Sequence, residues 1–596
     1  MSINNSKYNS LALWMCALGF CSWAWILTIK FYHFGYWGWD LPLYDQLMWN
    51  LCRGSVQTSL FGGNFLIDHA NYIAFFLAPF YFFFQNPMAL LYFKLAAFFI
   101  GSYIFYLITL KKIGGLWGIL FLLGYLFYPA NISMLLFEFN FENLALPLIF
   151  LVFYFFEERK IGPFLLTCFF LSIVKENMPF VVGMFGVYGL LTRRNNKKDI
   201  FYWGLCPLVL SIDIFLVEMF LVYPWLTKNL GFHASGYFEF YRKSFLADPL
   251  SFFQNFFTLK KILFLSELFG PLLLLAILNP QILFLGLPLF FQNLLSNFFG
   301  QQSIFFYYAS SMAVFVFLAA IQSLSILEPK QRRRLSFLMI IAVLFFSFCY
   351  IREWNKRIPW QDKELYIRRR QLLAKIPPQA GVLSSYNFLP FLSQRKDLYL
   401  FGRTFVLFTR QNQNVPDSVN YALIDFSTEI IDKFAVKELL LNKHWTVEAA
   451  IENVVLLRKN FYRGNPLIEG IQEHSRESFA RSVFPDNPLL ELKSFDFPAV
   501  ISSKTTVFPV NYYWKALQDL PQAGKVIMTI SQKGKSVWNK TRRILYSLPF
   551  KKDEEIKDCF YYVLPHFPKG QYDVEIYIWD SAYQWTGPFI KKLEVR

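Results

Sequence analysis

The sequence predicts an α-helical polytopic membrane domain over residues 1–350, then an extracytoplasmic α/β domain over 351–465 and an extracytoplasmic β-sandwich over 466–596. Three observations carry this. Hydrophobic residues make up 55% of the 596 positions and charged residues only 17%, which excludes a disordered chain, since such chains are apolar-poor and charge-rich. The charge is also unevenly placed: residues 1–350 hold 37 charged side chains, and the shorter stretch 351–596 holds 62. Finally, long apolar runs dominate before residue 350, whereas period-two alternation dominates after about residue 488.

A membrane-spanning helix needs about 20 predominantly apolar residues. Candidate runs are 11–30, 88–110, 115–130, 143–156, 161–174, 178–192, 200–223, 262–279, 281–298, 304–326 and 335–350. Lys7 precedes the first run and no small-residue cleavage site follows it, so a retained span is expected, with a cleaved signal peptide as the alternative. Basic clusters fall at every second turn: Lys111-Lys112, Arg159-Lys160, Arg193-Arg194 with Lys197-Lys198, and Lys330 with Arg332-Arg333-Arg334. Placing them all in the cytoplasm gives about eleven spans, an inner amino terminus and an outer chain after Tyr350. Residues 71–85, interrupted by Pro79, and residues 42–52 are expected to lie along the outer interface. Part of the net charge of +17 is thus accounted for by topology-setting clusters. Nucleic-acid binding would instead gather Lys and Arg on one soluble face. The seven cysteines contain no CxxC pair and give neither a disulfide framework nor a metal pattern.

In the soluble half, residues 362–375 are expected to be helical, with strands near 397–401, 421–425 and 453–458. A polar break is expected at 465–487. Strands follow at 525–530 and 572–578, with Pro and Gly marking the turns, as in a β-sandwich. Trp514 and Trp579 could stack on a sugar ring, against the plainer expectation that strand aromatics pack in the core.

The predicted topology gathers Asp40, Asp45, Asp68, His69, Glu138, Glu142, Lys175 and Glu176 at the outer ends of spans or in outer loops. Ionisable groups at membrane depth are costly and usually face a bundle interior or a wet cleft, so an outer catalytic cleft is expected. Each residue has a plainer role too. Asp40 before Leu41-Pro42 suits a helix N-cap. Asp45 could be solvated, Asp68 could cap the 71–85 segment, and His69 could be an interfacial histidine. In Phe137-Glu138-Phe139-Asn140-Phe141-Glu142, either an extended chain or a helix turns Glu138 and Glu142 to one side, as paired carboxylates. Lys175 and Glu176 could form structural ion pairs. The loop 224–261 carries Arg242 and Lys243, suited either to an anionic head group or to solvent. Tyr307-Tyr308 opens a span and suits interfacial anchoring.

The run Trp39-Asp40-Leu41-Pro42-Leu43-Tyr44-Asp45-Gln46, with Asp68-His69, Glu138-Phe139-Asn140-Phe141-Glu142 and Val174-Lys175-Glu176-Asn177, resembles a large prokaryotic family of multi-pass membrane proteins of unassigned function. Through that family it resembles the GT-C class of lipid-dependent glycosyltransferases, which includes protein O-mannosyltransferases and aminoarabinose transferases. The similarity spans roughly residues 30–460 and continues through Lys375-Ile376-Pro377-Pro378-Gln379-Ala380-Gly381-Val382, Leu400-Phe401 and Tyr421-Ala422-Leu423-Ile424-Asp425. It implies a prokaryotic plasma-membrane enzyme that takes sugar from a polyprenyl-phosphate donor for an extracytoplasmic glycan, lipid or protein acceptor. Asp40 maps to the general base and Asp45 is a second candidate; Glu138 and Glu142 complete the catalytic set. Asp68, His69, Asn140, Lys175, Glu176, Arg242, Lys243, Tyr307 and Tyr308 fall to substrate binding, with Lys175 or Arg242 at the lipid phosphate. Where the family pattern has Asp-Phe-His-Pro-Glu, this chain has Glu138 to Glu142 without the histidine, so no metal and no cofactor is assigned. Tyr512-Tyr513-Trp514-Lys515-Ala516-Leu517 and Gly570-Gln571-Tyr572-Asp573-Val574 resemble the jelly-roll, carbohydrate-binding-like modules appended to some membrane glycosyltransferases. The competing function is a non-enzymatic transporter or a glycan-binding envelope scaffold; Asp213 and Glu218, inside an apolar run, are the features that suit transport.

Overall fold

The computed structural model describes residues 3–194, 196–227, 248, 258–296, 298–359, 363–400, 415–425, 444–459, 490–503, 507–519, 524–543, 551–565, 567–579 and 585–596. The chain divides into two compact units, residues 1–58 with 63–360, and residues 59–62 with 361–596.

The first unit is helical. Its elements begin with α1 (Ile3–Tyr32), α2 (Asp40–Leu51), α3 (Ile73–Phe83), α4 (Pro87–Ile113) and α5 (Gly115–Leu126). There follow α6 (Pro129–Leu136), α7 (Ala145–Glu157), α8 (Ile161–Ser172), α9 (Met178–Thr192) and α10 (Lys197–Leu226). Among the described residues, five helices are long and apolar enough to cross a membrane: Ser6–Tyr32 within α1, α4, α10, Tyr308–Ser325 and Pro329–Asn355. The α5–α6 pair, bent by 50°, makes a sixth when counted as one span. Two of these form the centre. The apolar window of α4 is 67% buried and that of Tyr308–Ser325 is 83% buried, against 17% for α1 and for α10. A helix that is apolar all round yet exposed is what a lipid-facing span looks like.

The expected count of about eleven spans is not supported. The runs 143–156, 161–174 and 178–192 form helices of 13, 12 and 15 residues, and at 1.5 Å per residue these fall short of a roughly 30 Å hydrocarbon core. The runs 262–279 and 281–298 break into short helices around Pro271, Pro280 and the left-handed residues Leu273 and Leu274. Hydropathy registered the apolar residues but not these interruptions.

The bend between α5 and α6 has a local cause. Pro129 has no backbone N–H and forces Tyr128 into an extended conformation, with ψ at 132°. The carbonyls this frees are taken up by side chains. Ser347 Oγ donates to Phe127 O, and Asn131 Nδ2 donates to Tyr125 O at 2.7 Å. At the far end of α6, the ammonium of Lys94 reaches Leu135 O at 2.9 Å and Phe137 O at 2.6 Å, while Lys30 reaches Leu136 O at 2.5 Å. Backbone groups with no water nearby need such partners.

The second unit is rich in strands. The helix Lys363–Leu373 precedes a five-stranded sheet ordered Leu398–Leu400, Gly381–Ser384, Val419–Asp425, Val454–Lys459, Trp445–Ile451. Beyond it, a three-stranded sheet and a five-stranded sheet contribute to one continuous core. Trp514 belongs to that core at 1% exposure and cannot stack on a sugar. Its neighbour is a buried ion pair, Arg542 to Asp558 at 2.6 Å. Trp579 carries Lys525 over its ring at 4.5 Å. The expected polar break at 465–487 lies outside the described residues.

Candidate functional site

The site grows from the start of α2. Gly38, with φ of 74°, turns the chain in a conformation that favours glycine, and α2 begins at Asp40. The first N–H groups of a helix lack intrahelical partners. No side chain of the local sequence caps them. Glu138, a hundred residues away, does so instead. Its Oε1 accepts from Gly38 N at 2.7 Å and Trp39 N at 3.3 Å, and its Oε2 accepts from Asp40 N and Leu41 N, both at 2.7 Å. A carboxylate at a helix N-terminus also meets the positive end of the helix dipole. The plain expectation that Asp40 caps this helix is therefore wrong: Glu138 does that work, and the Asp40 carboxylate is left for another role.

Alternation places Asn140 beside it. Residues 138–140 form no helix or strand, Asn140 is extended, and the short 3-10 helix Phe141–Leu144 follows. Asn140 Oδ1 accepts from Glu142 N at 3.0 Å, which fixes the amide; its Nδ2 donates to Asp40 Oδ2 at 3.1 Å and to Tyr44 Oη at 2.9 Å. Tyr44 is itself held by edge-on contacts to Phe65, Phe139 and Phe141, with centroids 5.0–5.9 Å apart. Asp40, Tyr44 and Asn140 thus form one ordered cluster.

A second cluster lies beside the first. Glu142 accepts from Lys175 Nζ at 3.0 Å and from Ser311 Oγ at 3.3 Å. The side chains of Lys175 and Glu142 are 3% and 5% exposed, so this ion pair is buried. The rings of Tyr307 and Tyr308 each lie 5.9 Å from the Lys175 ammonium. Tyr307 is buried, so it is a partner of this charge rather than an interfacial anchor. Glu176 receives His69 Nδ1 at 2.8 Å and Ala70 N at 3.2 Å. Asp68 ends the 3-10 turn Phe65–Ile67 and lies 3.9 Å from His69; it does not cap α3, whose N-cap is Tyr72.

The charges act on one another. Burial raises the Asp40 carboxyl to about 7 and Glu138 adds to this, against the Asn140 hydrogen bond and the charges of Lys175 and His69. Burial opposes the charged form of Lys175, but Glu142 and Glu176 outweigh it and hold the ammonium protonated above its usual range. The same contest, won by Glu176 and Asp68, raises His69. Burial would raise Glu176, yet His69 and Lys175 bring it down to about 2.

Several expected features are placed differently. Glu138 and Glu142 do not act as a carboxylate pair, because one serves α2 and the other serves Lys175. Asp45 is fully buried and accepts from Tyr81 Oη at 2.5 Å, so it is not a solvated residue of α2. Arg242 and Lys243 lie outside the described residues. The sequence reading missed Tyr44, Ser311, Lys30 and Lys94. Lys94, alone in an apolar run, carried a usable signal, because an ionisable residue inside a span demands a partner. Among the described residues no group of three or more His, Cys, Asp or Glu is placed to hold a metal ion.

These observations define a multi-span helical membrane protein with a buried acid, amide and ammonium cluster at the ends of its helices. Residues 30–456 match the family described as "Predicted membrane protein (DUF2079)", and the chain belongs to that family. The whole cluster lies within the matched residues. No curated protein matches the chain.

Proposed function

We propose that this protein is a membrane glycosyltransferase, moving a sugar from a polyprenyl-phosphate donor to an extracytoplasmic acceptor with Asp40 as general base. The observation that carries the reading is the transfer of the capping role to Glu138. It leaves Asp40 oriented by Asn140, without an ion pair among the described residues, and with its carboxyl raised to about 7. A base works best when its pKa lies near the working pH. In the proposed step the acceptor hydroxyl attacks the anomeric carbon and its proton passes to Asp40. The bond from that carbon to the phosphate oxygen breaks, and polyprenyl phosphate leaves with the electron pair. Lys175, fixed by Glu142, supplies positive charge to the region where the anion develops. The topology proposed with this reading is that of a prokaryotic plasma-membrane protein, with the amino terminus cytoplasmic and the carboxy-terminal unit outside.

One observation favours a transport reading. Glu218 is 1% exposed within α10, at a π-helical stretch, and neither carboxyl oxygen has a hydrogen-bond partner among the described residues. Asp213, the other acidic residue of that helix, is exposed. Transfer of label from a radiolabelled polyprenyl-phosphate sugar into a membrane acceptor decides between the readings. A transferase yields labelled product in membranes carrying the wild-type chain and loses it with Asp40→Asn. Product independent of the chain, or equal product from both, rejects the assignment.

A further inference from the structure

Glu138 also lines a recess, together with Lys30, Tyr36, Trp37, Phe306 and Arg357. Its chemistry is unusual for the end of a membrane helix bundle. Lys30 is 5% exposed and, among the described residues, has a single hydrogen bond, to Leu136 O, together with the Tyr36 ring at 4.7 Å. Arg357 donates to Phe305 O at 2.8 Å, one contact from a side chain with five N–H donors. Neither cation makes an ion pair with a carboxylate among the described residues. The Tyr36 hydroxyl, on a residue 3% exposed, has no hydrogen-bond partner among the described residues. Glu138 contributes the only carboxylate of the lining, and both its oxygens are occupied by backbone N–H groups of the α2 start.

We propose that this recess binds the headgroup phosphate of a membrane lipid, with Lys30, Arg357 and the Tyr36 hydroxyl as its donors. Two cations that make no close ion pair among the described residues and a buried hydroxyl without a partner among them line it, and a phosphate's several acceptor oxygens match such a set. Its place at the ends of two apolar spans points to a lipid rather than a soluble anion. Lys30 lies in the last turn of the span α1, and Arg357 lies two residues beyond the span Pro329–Asn355. Trp37, 57% exposed at the rim, is the residue type that settles at headgroup level. Because Glu138 joins this recess to the backbone of Asp40, a lipid phosphate held here would lie one side chain from the proposed base. The inference deepens the transferase reading and rests on it only for which lipid is held.

The test is binding to the purified full-length chain in nanodiscs, using a short-chain polyprenyl phosphate, the matching polyprenyl alcohol and inorganic phosphate as probes. The lipid phosphate is expected to bind, the alcohol at least tenfold more weakly, and Arg357→Gln and Tyr36→Phe to lose about tenfold or more each, as for a lost hydrogen bond to a charged group. Arg357→Lys should recover part of the loss. Lys30 is left intact because it also holds the end of α6, and the melting temperature of each variant confirms its fold. Equal binding by the alcohol, or wild-type affinity in both Arg357→Gln and Tyr36→Phe, would overturn the site. Inorganic phosphate binding as tightly as the lipid would overturn the lipid source. Arg357-dependent lipid binding without any sugar transfer would reject the transferase reading and leave this site standing.

Discussion

Glu138 and Asp40 show how two carboxylates 98 residues apart in sequence divide the tasks that either could have done. Glu138 meets four backbone N–H groups and is structural. Asp40 meets one amide and is proposed as the base. Replacing Glu138 with Ala should therefore cost on the order of 1–3 kcal/mol, the range for a lost cap with donors left unpaired, read as a fall in the melting temperature of the detergent-solubilised chain. A melting temperature unchanged by Glu138→Ala would refute the cap. The His69–Glu176 pair predicts a pH dependence with two limbs. The folded pKa of Glu176 is depressed to about 2, so its contribution is present above the ordinary value of 4.5 and fades as pH falls through that interval. The folded pKa of His69 is raised, so its contribution is complete below 6.5 and is lost as pH rises through the higher folded value. Melting measured across pH should show both limbs in the wild type, with Glu176→Gln flattening the curve. Identical curves would remove the pair from the site.

At the scale of elements, α6 is the part whose stability is least visible from local sequence. Its carbonyl end is held by Lys94 and Lys30 from two different spans. Lys94→Met should cost on the order of 3 kcal/mol, because it strands carbonyls where water is scarce; the yield of monodisperse protein reports this. Lys111→Ala, which removes a half-exposed partner of Glu158 at 2.6 Å, should change yield little, as exposed ion pairs contribute about 0–1 kcal/mol. Comparable losses from both would contradict this ranking. The same contrast explains what could be read in advance. The helical first unit and strand-rich second unit follow from composition and periodicity, and the strands at 421–425 and 572–578 lie within observed strands. The extents of α7, α8 and α9 were legible to within two residues at each end; the error lay in counting runs of 14 or 15 residues as full spans, when a span needs about 20. Asp40, Asn140, Glu142 and Lys175 were legible as chemistry-bearing residues. Their pairing was not, since it depends on Glu138 reaching α2 and on Tyr307, Tyr308 and Ser311 arriving from a distant helix.

On the scale of the whole molecule, the proposal joins a membrane unit to an outer strand-rich unit. Its orientation is testable by cysteine accessibility in intact cells. A cysteine at Lys551, in the second unit, should react with an impermeant thiol reagent, and one at Arg333 should react only after permeabilisation; the reverse pattern would invert the topology. The central claim is that Asp40, released from capping by Glu138, is the base of a sugar transfer. The pH dependence of transfer from the polyprenyl-phosphate sugar by the purified chain tests it most directly. The wild-type rate should rise as pH increases through about 7, where Asp40 loses its proton, and Asp40→Asn should show no transfer at any pH. A wild-type rate that is flat from about pH 5.5 to 8.5, or an Asp40→Asn chain that follows the same rising curve, would contradict it.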